Sequence, residues 1–401
     1  MKPDYIARFE KMGMGLFVHF GLYSILGKGE WHYVADPKCD KKQYMDELIH
    51  KFKVKKNWAK DLVKAAKAMG CKYITLTTKH HEGFALYDTC GLNEFDAPHS
   101  ATHRDLVKEF VDECNKAGIM PMFYHALLDW WHPDYYTNFP AYIDYLVKSI
   151  EILCKNYGKI GGFWFDGKWD KPNEDWQEDR LYSTIRKYQP EAMIINNTGL
   201  SALGETGHPE IDSVTFERGK PFKVVSSKGK EVAGEVCDSL TEHWGYCPLD
   251  LTTKSPKYLI SELIDCRANN CNFLINSGPR SDGSLNPVEK EILKQVGVWI
   301  KANGNFIYNA HSCEIEAANA TILFDGKYYY AIAKDVPLAM FANITREGDF
   351  KEVVLSVNKK IKGAIYMDTK EKVELKTKNS FVVKPFEYGR DLYARVIRFK
   401  L

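Results

Sequence analysis

Short runs of consecutive apolar residues alternate with longer stretches in which apolar positions recur every three or four residues, from Gly15 to about Ala302. The short runs predict strands buried on both faces over residues 15–20, 73–77, 119–124, 163–165, 193–196 and 272–276, with weaker ones near Val214 and Val236. The longer stretches predict helices over 58–69, stopping at Gly70, and over 102–116, ending at Gly118. Further helices are predicted over 142–157, 174–188, 258–268 and 288–302. Strands joined by single helices need right-handed crossovers and lie parallel. About eight of them in roughly 300 residues fit a (β/α)8-like TIM barrel, which takes ~250 residues or more. An open dinucleotide-binding sheet fits less well, because no Gly-x-Gly-x-x-Gly follows any strand.

Beyond Asn309 the pattern changes to short segments of alternating burial. Strands are predicted over 327–332, 352–357, 363–367, 380–383 and 392–397, separated by turn pairs such as Asp325-Gly326 and Lys378-Asn379. This is the pattern of a C-terminal antiparallel β-sandwich. The expected division is therefore a barrel domain over 1–308 and a sandwich domain over 309–401, the second without a catalytic-looking cluster.

Composition narrows the class. With 45% hydrophobic and 27% charged residues among 401, the chain is a globular one with room for a large and a smaller domain. Its formal net charge is +2 and its cations are dispersed, so neither nucleic acid nor membrane is an expected partner and a small neutral ligand is. The run Lys51-Phe52-Lys53-Val54-Lys55-Lys56 reads as a solvated face. Ten scattered cysteines without a Cys-x-x-Cys pair read as free thiols of a reducing compartment. With no apolar signal core or membrane-length run, the expected localisation is cytoplasmic. Oligomeric state leaves no mark on the sequence.

The chemistry gathers at predicted strand ends, which a barrel brings to one face. The apolar run at 162–165 ends in Asp166-Gly167, a carboxylate at the mouth of a core. Alone it reads as a turn cap. Beside the other clusters it becomes a candidate nucleophile. The first strand leads to His19 and then Glu30-Trp31, the second to Lys79-His80-His81-Glu82-Gly83-Phe84, and the third to Tyr124 and Asp129-Trp130-Trp131-His132. Zinc sites favour His-x-His on a strand or His-x-x-x-His on a helix, and the adjacent pair fits neither, so no metal is expected. Neutral imidazoles and indoles suit a polyhydroxylated ring. No Ser or Cys arrangement near Asp166 supports a triad. Glycoside hydrolysis instead needs one ionised and one protonated carboxyl, and Glu217 and Glu235 are both candidates for the second.

Several strings in one order over roughly the first 280 residues resemble the retaining α-L-fucosidases of glycoside hydrolase family 29. They are Met14-Gly15-Leu16-Phe17-Val18-His19-Phe20-Gly21, Glu30-Trp31, Thr78-Lys79-His80-His81-Glu82-Gly83-Phe84, Tyr124 with Asp129-Trp130, Trp164-Phe165-Asp166-Gly167, Trp244-Gly245-Tyr246 and 272–279. The resemblance implies a (β/α)8-like barrel followed by a β-sandwich, with Asp166 as nucleophile. It further implies a fucose pocket of His19, Glu30, Trp31, His80, His81 and Tyr124, walled by Trp164 and Trp244. No cofactor is implied, and the partner is a fucosylated oligosaccharide or glycoconjugate. The expected acid/base is Glu217, which follows a short β-like run, with Glu235 the alternative. The chain departs from the family at Asn196-Asn197-Thr198, where many members carry Asn-Asp-Arg. The expected function is exo-acting hydrolysis of terminal α-L-fucosyl linkages with retention. The alternatives are a catalytically silent fucosylated-glycan-binding protein on the same scaffold and a metal-dependent barrel hydrolase.

Overall fold

A computed structural model describes residues 2–224, 230–317, 319–334, 336, 353–387 and 389–401. Eight parallel strands close in chain order into a barrel: β1 (Met14–Val18), β2 (Tyr73–Lys79), β3 (Met120–Ala126), β4 (Gly162–Asp166), β5 (Met193–Asn196), β6 (Ser213–Glu217), β7 (Ala233–Ser239) and β8 (Cys271–Asn276). β1 pairs with both β2 and β8, which closes the ring. Almost every strand position is buried, as strands covered by helices outside and packed side chains inside require.

The crossover helices follow the 3.6-residue periodicity. Trp58–Met69 and Leu106–Ala117 each end at a glycine in the left-handed region, Gly70 and Gly118, and carry Leu62, Ala66 and Phe110 into the core. Three starts differ from expectation by three residues or more. The second of these helices begins at Leu106, not at residue 102, because the Asp105 carboxylate accepts from Lys108 N and caps it there. Glu178–Tyr188 begins four residues late because Trp176 is buried and its indole N–H donates to Lys171 O, folding the preceding segment into a loop. Phe139–Asn156 begins early, capped by Asn138 with Pro140 in its first turn. Among the described residues no helix follows β5 or β6, so the barrel departs there from strict alternation. No described helix is long and apolar enough to cross a membrane.

The C-terminal part forms two antiparallel sheets from β9 (His311–Ser312), β10 (Thr321–Phe324), β11 (Tyr329–Ala333), β12 (Val353–Ser356), β13 (Gly363–Tyr366), β14 (Leu375–Thr377), β15 (Ser380–Val383) and β16 (Arg395–Lys400). The orders are β13-β16-β11-β10-β9 and β12-β15-β14. Ile322, Ala331, Ile397 and Phe399 from the first sheet share one core with Leu355, Phe381 and Val383 from the second, the face-to-face packing of a sandwich. The strand expected over 392–397 begins at Arg395, because Ala394 N bonds back to Leu392 O around a left-handed Tyr393. Of the strand expected over 352–357, Glu352 lies outside the described residues. Three strands escaped the pattern, β9, β10 and β14, each only two to four residues long.

Burial sets a pH dependence. Burial pushes the carboxyls of Glu82, Glu235 and Glu289 up to about 7 against hydrogen bonds that pull down, such as that from Ser277 to Glu289. A carboxyl whose folded value is raised contributes stability in full below its unfolded value, and loses it as pH rises through the folded one. Buried histidines such as His19 and His125 are lowered by burial and act with the opposite sign. The clean readout is therefore a difference. Relative to wild type, Glu289→Gln is expected to gain stability between about pH 4.5 and 7, on the order of 3 kcal/mol across the window. Urea unfolding of both proteins at several pH values measures it; a constant gap would refute it.

Candidate active site

The C-terminal strand ends open into a cavity of about 480 Å³. Its floor is apolar and aromatic: Phe17 on β1, Tyr124 on β3 and Trp164 on β4 are all buried, with Tyr124 and Trp164 stacked at 5.6 Å. Trp244, from the loop after β7, packs its ring 5.1 Å from that of His19 and carries the Arg218 guanidinium at 5.1 Å.

Asp166 closes β4 and projects into this cavity. Gly167 turns the chain there at φ 96°, in the left-handed region, where a Cβ would stand 2.5 Å from that of Leu128. Three donors converge on Asp166 Oδ1: Gly167 N at 2.9 Å, Trp169 Nε1 at 3.0 Å and Asn197 Nδ2 at 3.2 Å. Oδ2 receives Tyr124 OH at 3.0 Å and faces His81 Nε2 at 3.4 Å. Burial raises the proton affinity of this carboxyl, but the groups from His81, Trp169 and Tyr124 outweigh it and hold the pKa below its ordinary value.

Glu217 closes β6 and lines the same cavity. Its pKa moves the other way, raised by burial and by the Asp166 charge against a hydrogen bond from Asn197 and the nearby Arg218 and His81. Asn197 Nδ2 stands 2.7 Å from Glu217 Oε2 and 3.2 Å from Asp166 Oδ1, so those oxygens are under about 6 Å apart. The amide is itself fixed, its oxygen accepting from Thr215 Oγ1 at 3.0 Å.

Glu235 lies elsewhere. In the β6–β7 register Glu217 is level with Cys237 and Glu235 with Thr215, two residues deeper in the barrel. It is fully buried outside the cavity lining, accepting from Tyr73 OH at 2.5 Å and Trp164 Nε1 at 2.9 Å. Glu30 is also outside the lining; it accepts from Gly245 N at 2.7 Å and so anchors the segment that carries Trp244.

The three histidines differ in partner. Asn276 Nδ2 donates to the Trp244 carbonyl, so its Oδ1 is the atom that accepts from His19 Nδ1 at 2.8 Å, and His19 Nε2 is left as an acceptor. Burial lowers His19 to about 3, keeping it neutral, and burial with two neighbouring imidazoles holds His80 well below its ordinary value. The alternation that would send His80 and His81 to opposite sides stops because β2 ends at Lys79; both rings line the cavity, 4.3 Å apart. The buried Lys79–Asp129 ion pair, 2.8 Å long, fixes the turn carrying Trp130, since Asp129 Oδ1 also accepts from Trp131 N and His132 N. Among the described residues no three His, Cys, Asp or Glu side chains gather as a metal site.

Two residues at the centre of this geometry escaped sequence reasoning. Asn197 appears there only as a departure from a family string, and Trp169 does not appear at all. Trp31, expected in the pocket, lies at its rim, 39% exposed, stacked on the equally exposed Trp169 with centroids 6.0 Å apart.

Two carboxyls of opposed proton affinity, side by side in an aromatic pocket at the C-terminal end of a parallel barrel, define a glycoside hydrolase. The model of the α-L-fucosidase family matches residues 3–305, and the chain belongs to that family. The tissue α-L-fucosidase of Bos taurus is 28% identical over 353 residues, 80% of this chain and 72% of the relative. The plasma α-L-fucosidase of Rattus norvegicus is 25% identical over 369 residues, 84% of this chain and 77% of the relative. Among solved structures, α-L-fucosidase isoenzyme 1 of Paenibacillus thiaminolyticus superposes with a TM-score of 0.84 at 27% identity, covering 99% of each chain. A GH29 α-L-fucosidase of Bacteroides thetaiotaomicron, trapped as a covalent intermediate with 2-fluoro-fucosyl fluoride, gives 0.81 at 23% identity over 100% of this chain and 96% of that one.

The relatives correct the expected cytoplasmic localisation, since their names include plasma enzymes and plasma is extracellular. Free cysteines do not mark a reducing compartment here. Six of the ten thiols are buried and pack as small hydrophobes, which any compartment tolerates.

Proposed function

We propose that this α-L-fucosidase is exo-acting and retaining, with Asp166 as nucleophile and Glu217 as acid/base. The observation that carries the reading is the Asn197 amide shared by the two carboxyls. It holds one oxygen of each under about 6 Å from the other, compatible with the ~5–5.5 Å of a retaining pair and short of the ~6.5–9.5 Å that leaves room for an inverting water. The opposed pKa directions support the same roles, the ionised group attacking and the protonated one donating. The blind aromatic floor accommodates a chain end.

Asp166 attacks the anomeric carbon through Oδ2, because Oδ1 is already surrounded by three donors. As the glycosidic bond breaks, its electron pair stays with the leaving oxygen, which takes the Glu217 proton. Water then attacks the fucosyl ester, giving its proton to Glu217 and releasing Asp166 with the original configuration. His19 Nε2 accepts a sugar hydroxyl while neutral His80 and the aromatic walls meet hydroxyl and C–H surfaces. Membership of a hydrolase family favours this over the silent binder and the metal-dependent hydrolase. Within this reading residues 1–308 form the catalytic domain and 309–401 an ancillary one.

The covalent intermediate reported for the Bacteroides enzyme indicates the test. Incubation with 2-fluoro-fucosyl fluoride, then proteolysis and mass spectrometry, is expected to find the sugar on the peptide holding Asp166. A label on Glu217, Glu235 or any other residue overturns the assignment.

A further inference from the structure

The cavity changes character with depth. Its floor is buried, whereas its rim is apolar and open: Trp31 and Trp169 are each 39% exposed and Leu200 66%. The two indoles are stacked 21° from parallel with centroids 6.0 Å apart, and both line the rim. Flat indole surface beside an apolar side chain suits the C–H face of an uncharged pyranose. The deep floor is taken by fucose, so a ring at the rim is the sugar being expelled.

Trp169 belongs to both regions. Its indole N–H donates to Asp166 Oδ1 at 3.0 Å while its ring is part of the open rim. The short turn carrying it, Lys168–Asp170, is held on both flanks: Tyr135 OH donates to Asp170 Oδ2 at 2.6 Å, and Lys168 pairs with Glu178. A ring seated on Trp169 therefore bears on the same rigid indole that orients the nucleophile.

We propose that Trp169 couples the leaving-sugar site to the nucleophile, its ring face stacking on a neutral hexopyranose next to fucose while its N–H holds Asp166 for attack. The proposal rests on Asp166 being the nucleophile. Trp169 is a positioning residue for Asp166 and a specificity residue for the leaving sugar.

Two substrates and two variants separate the roles. α-L-Fucosyl fluoride has a single-atom leaving group and never reaches the rim; a disaccharide of fucose α-linked to a hexose does. Trp169→Phe keeps a ring and loses the N–H, and Trp169→Ala loses both. With the fluoride, both variants are expected to lose about tenfold or more in kcat/KM. The acid limb of their pH profiles is expected to move to higher pH, since a donor to the ionised carboxylate is gone. With the disaccharide, Trp169→Phe is expected to lose no more than with the fluoride and Trp169→Ala about a further tenfold. An unmoved acid limb in Trp169→Phe, or a disaccharide-to-fluoride ratio in Trp169→Ala equal to that of wild type, overturns the proposal. Inhibition constants for free fucose report that the variants are folded; Trp169 packs in none of the apolar cores. Failure of the nucleophile assignment itself shows separately, as labelling by the fluoro sugar away from Asp166.

Discussion

Asp166→Ala is expected to lower kcat/KM on an aryl α-L-fucoside by on the order of 10⁴-fold or more, the scale on which removal of a covalent nucleophile acts. The carboxylate supplies a bond and little packing. Of the groups left behind, Tyr124, Trp169 and Asn197 line the cavity. Deletion opens a gap on the face of the sugar that Asp166 attacks, lined by these donors. Added azide is expected to enter it, restore part of the turnover and give β-fucosyl azide, identified by NMR. A variant that turns over at the wild-type rate sinks the assignment, and one that azide fails to rescue shows that the missing group acted otherwise than by attack.

The second large effect falls on Glu217, and its signature is selectivity among leaving groups. A general acid contributes about 10²–10⁴-fold where the departing oxygen is basic and little where it is already acidic. Glu217→Ala is expected to slow a fucosyl oligosaccharide by that factor and a dinitrophenyl fucoside far less in its fucosyl-transfer step. The sign of the pH effect follows from the raised pKa: the protonated form works, so wild-type activity falls as pH rises through the Glu217 value, and this alkaline limb flattens in the variant. Glu235→Ala is expected to cost stability through the unpaired Tyr73 hydroxyl and Trp164 indole instead, without leaving-group selectivity. If selectivity follows Glu235, the two roles exchange.

Much of the scaffold was legible because burial writes a period on the chain. The barrel strands are apolar on both faces and the crossover helices carry stripes that end at Gly70 and Gly118. β6 and β7 were faint, since Ser213, Thr215, Glu235 and Asp238 interrupt their apolar character, yet these are strands that hold or support the carboxyls. The preference for Glu217 over Glu235 rested in the sequence on the short β-like run before Glu217; what separates the two in space is the stagger of β6 against β7, which sets depth along the barrel axis and is not written in either string. Asn197 and Trp169 lie in connections, where no periodicity marks a side chain as inward. A string compared with a family pattern registers what is missing at Asn197, the arginine, and says nothing of the bridge that stands in its place. Trp169 owes its position to the turn at Gly167, a backbone feature that the Asp-Gly pair announces without saying what the turn delivers.

The closeness of the two carboxyls gives the site a timing device. After burial, the negative charge on Asp166 is the next cause that raises the proton affinity of Glu217. In the proposed mechanism that charge is gone once Asp166 has become an ester, and the proton affinity of Glu217 falls at the step after it has surrendered its proton. It then waits as a free base beside the incoming water. When water cleaves the ester and Asp166 recovers its charge, repulsion returns and Glu217 holds the proton it has just taken. One carboxyl thus alternates between acid and base within a turnover while the solution pH stays constant, and the clock is the covalent state of its neighbour.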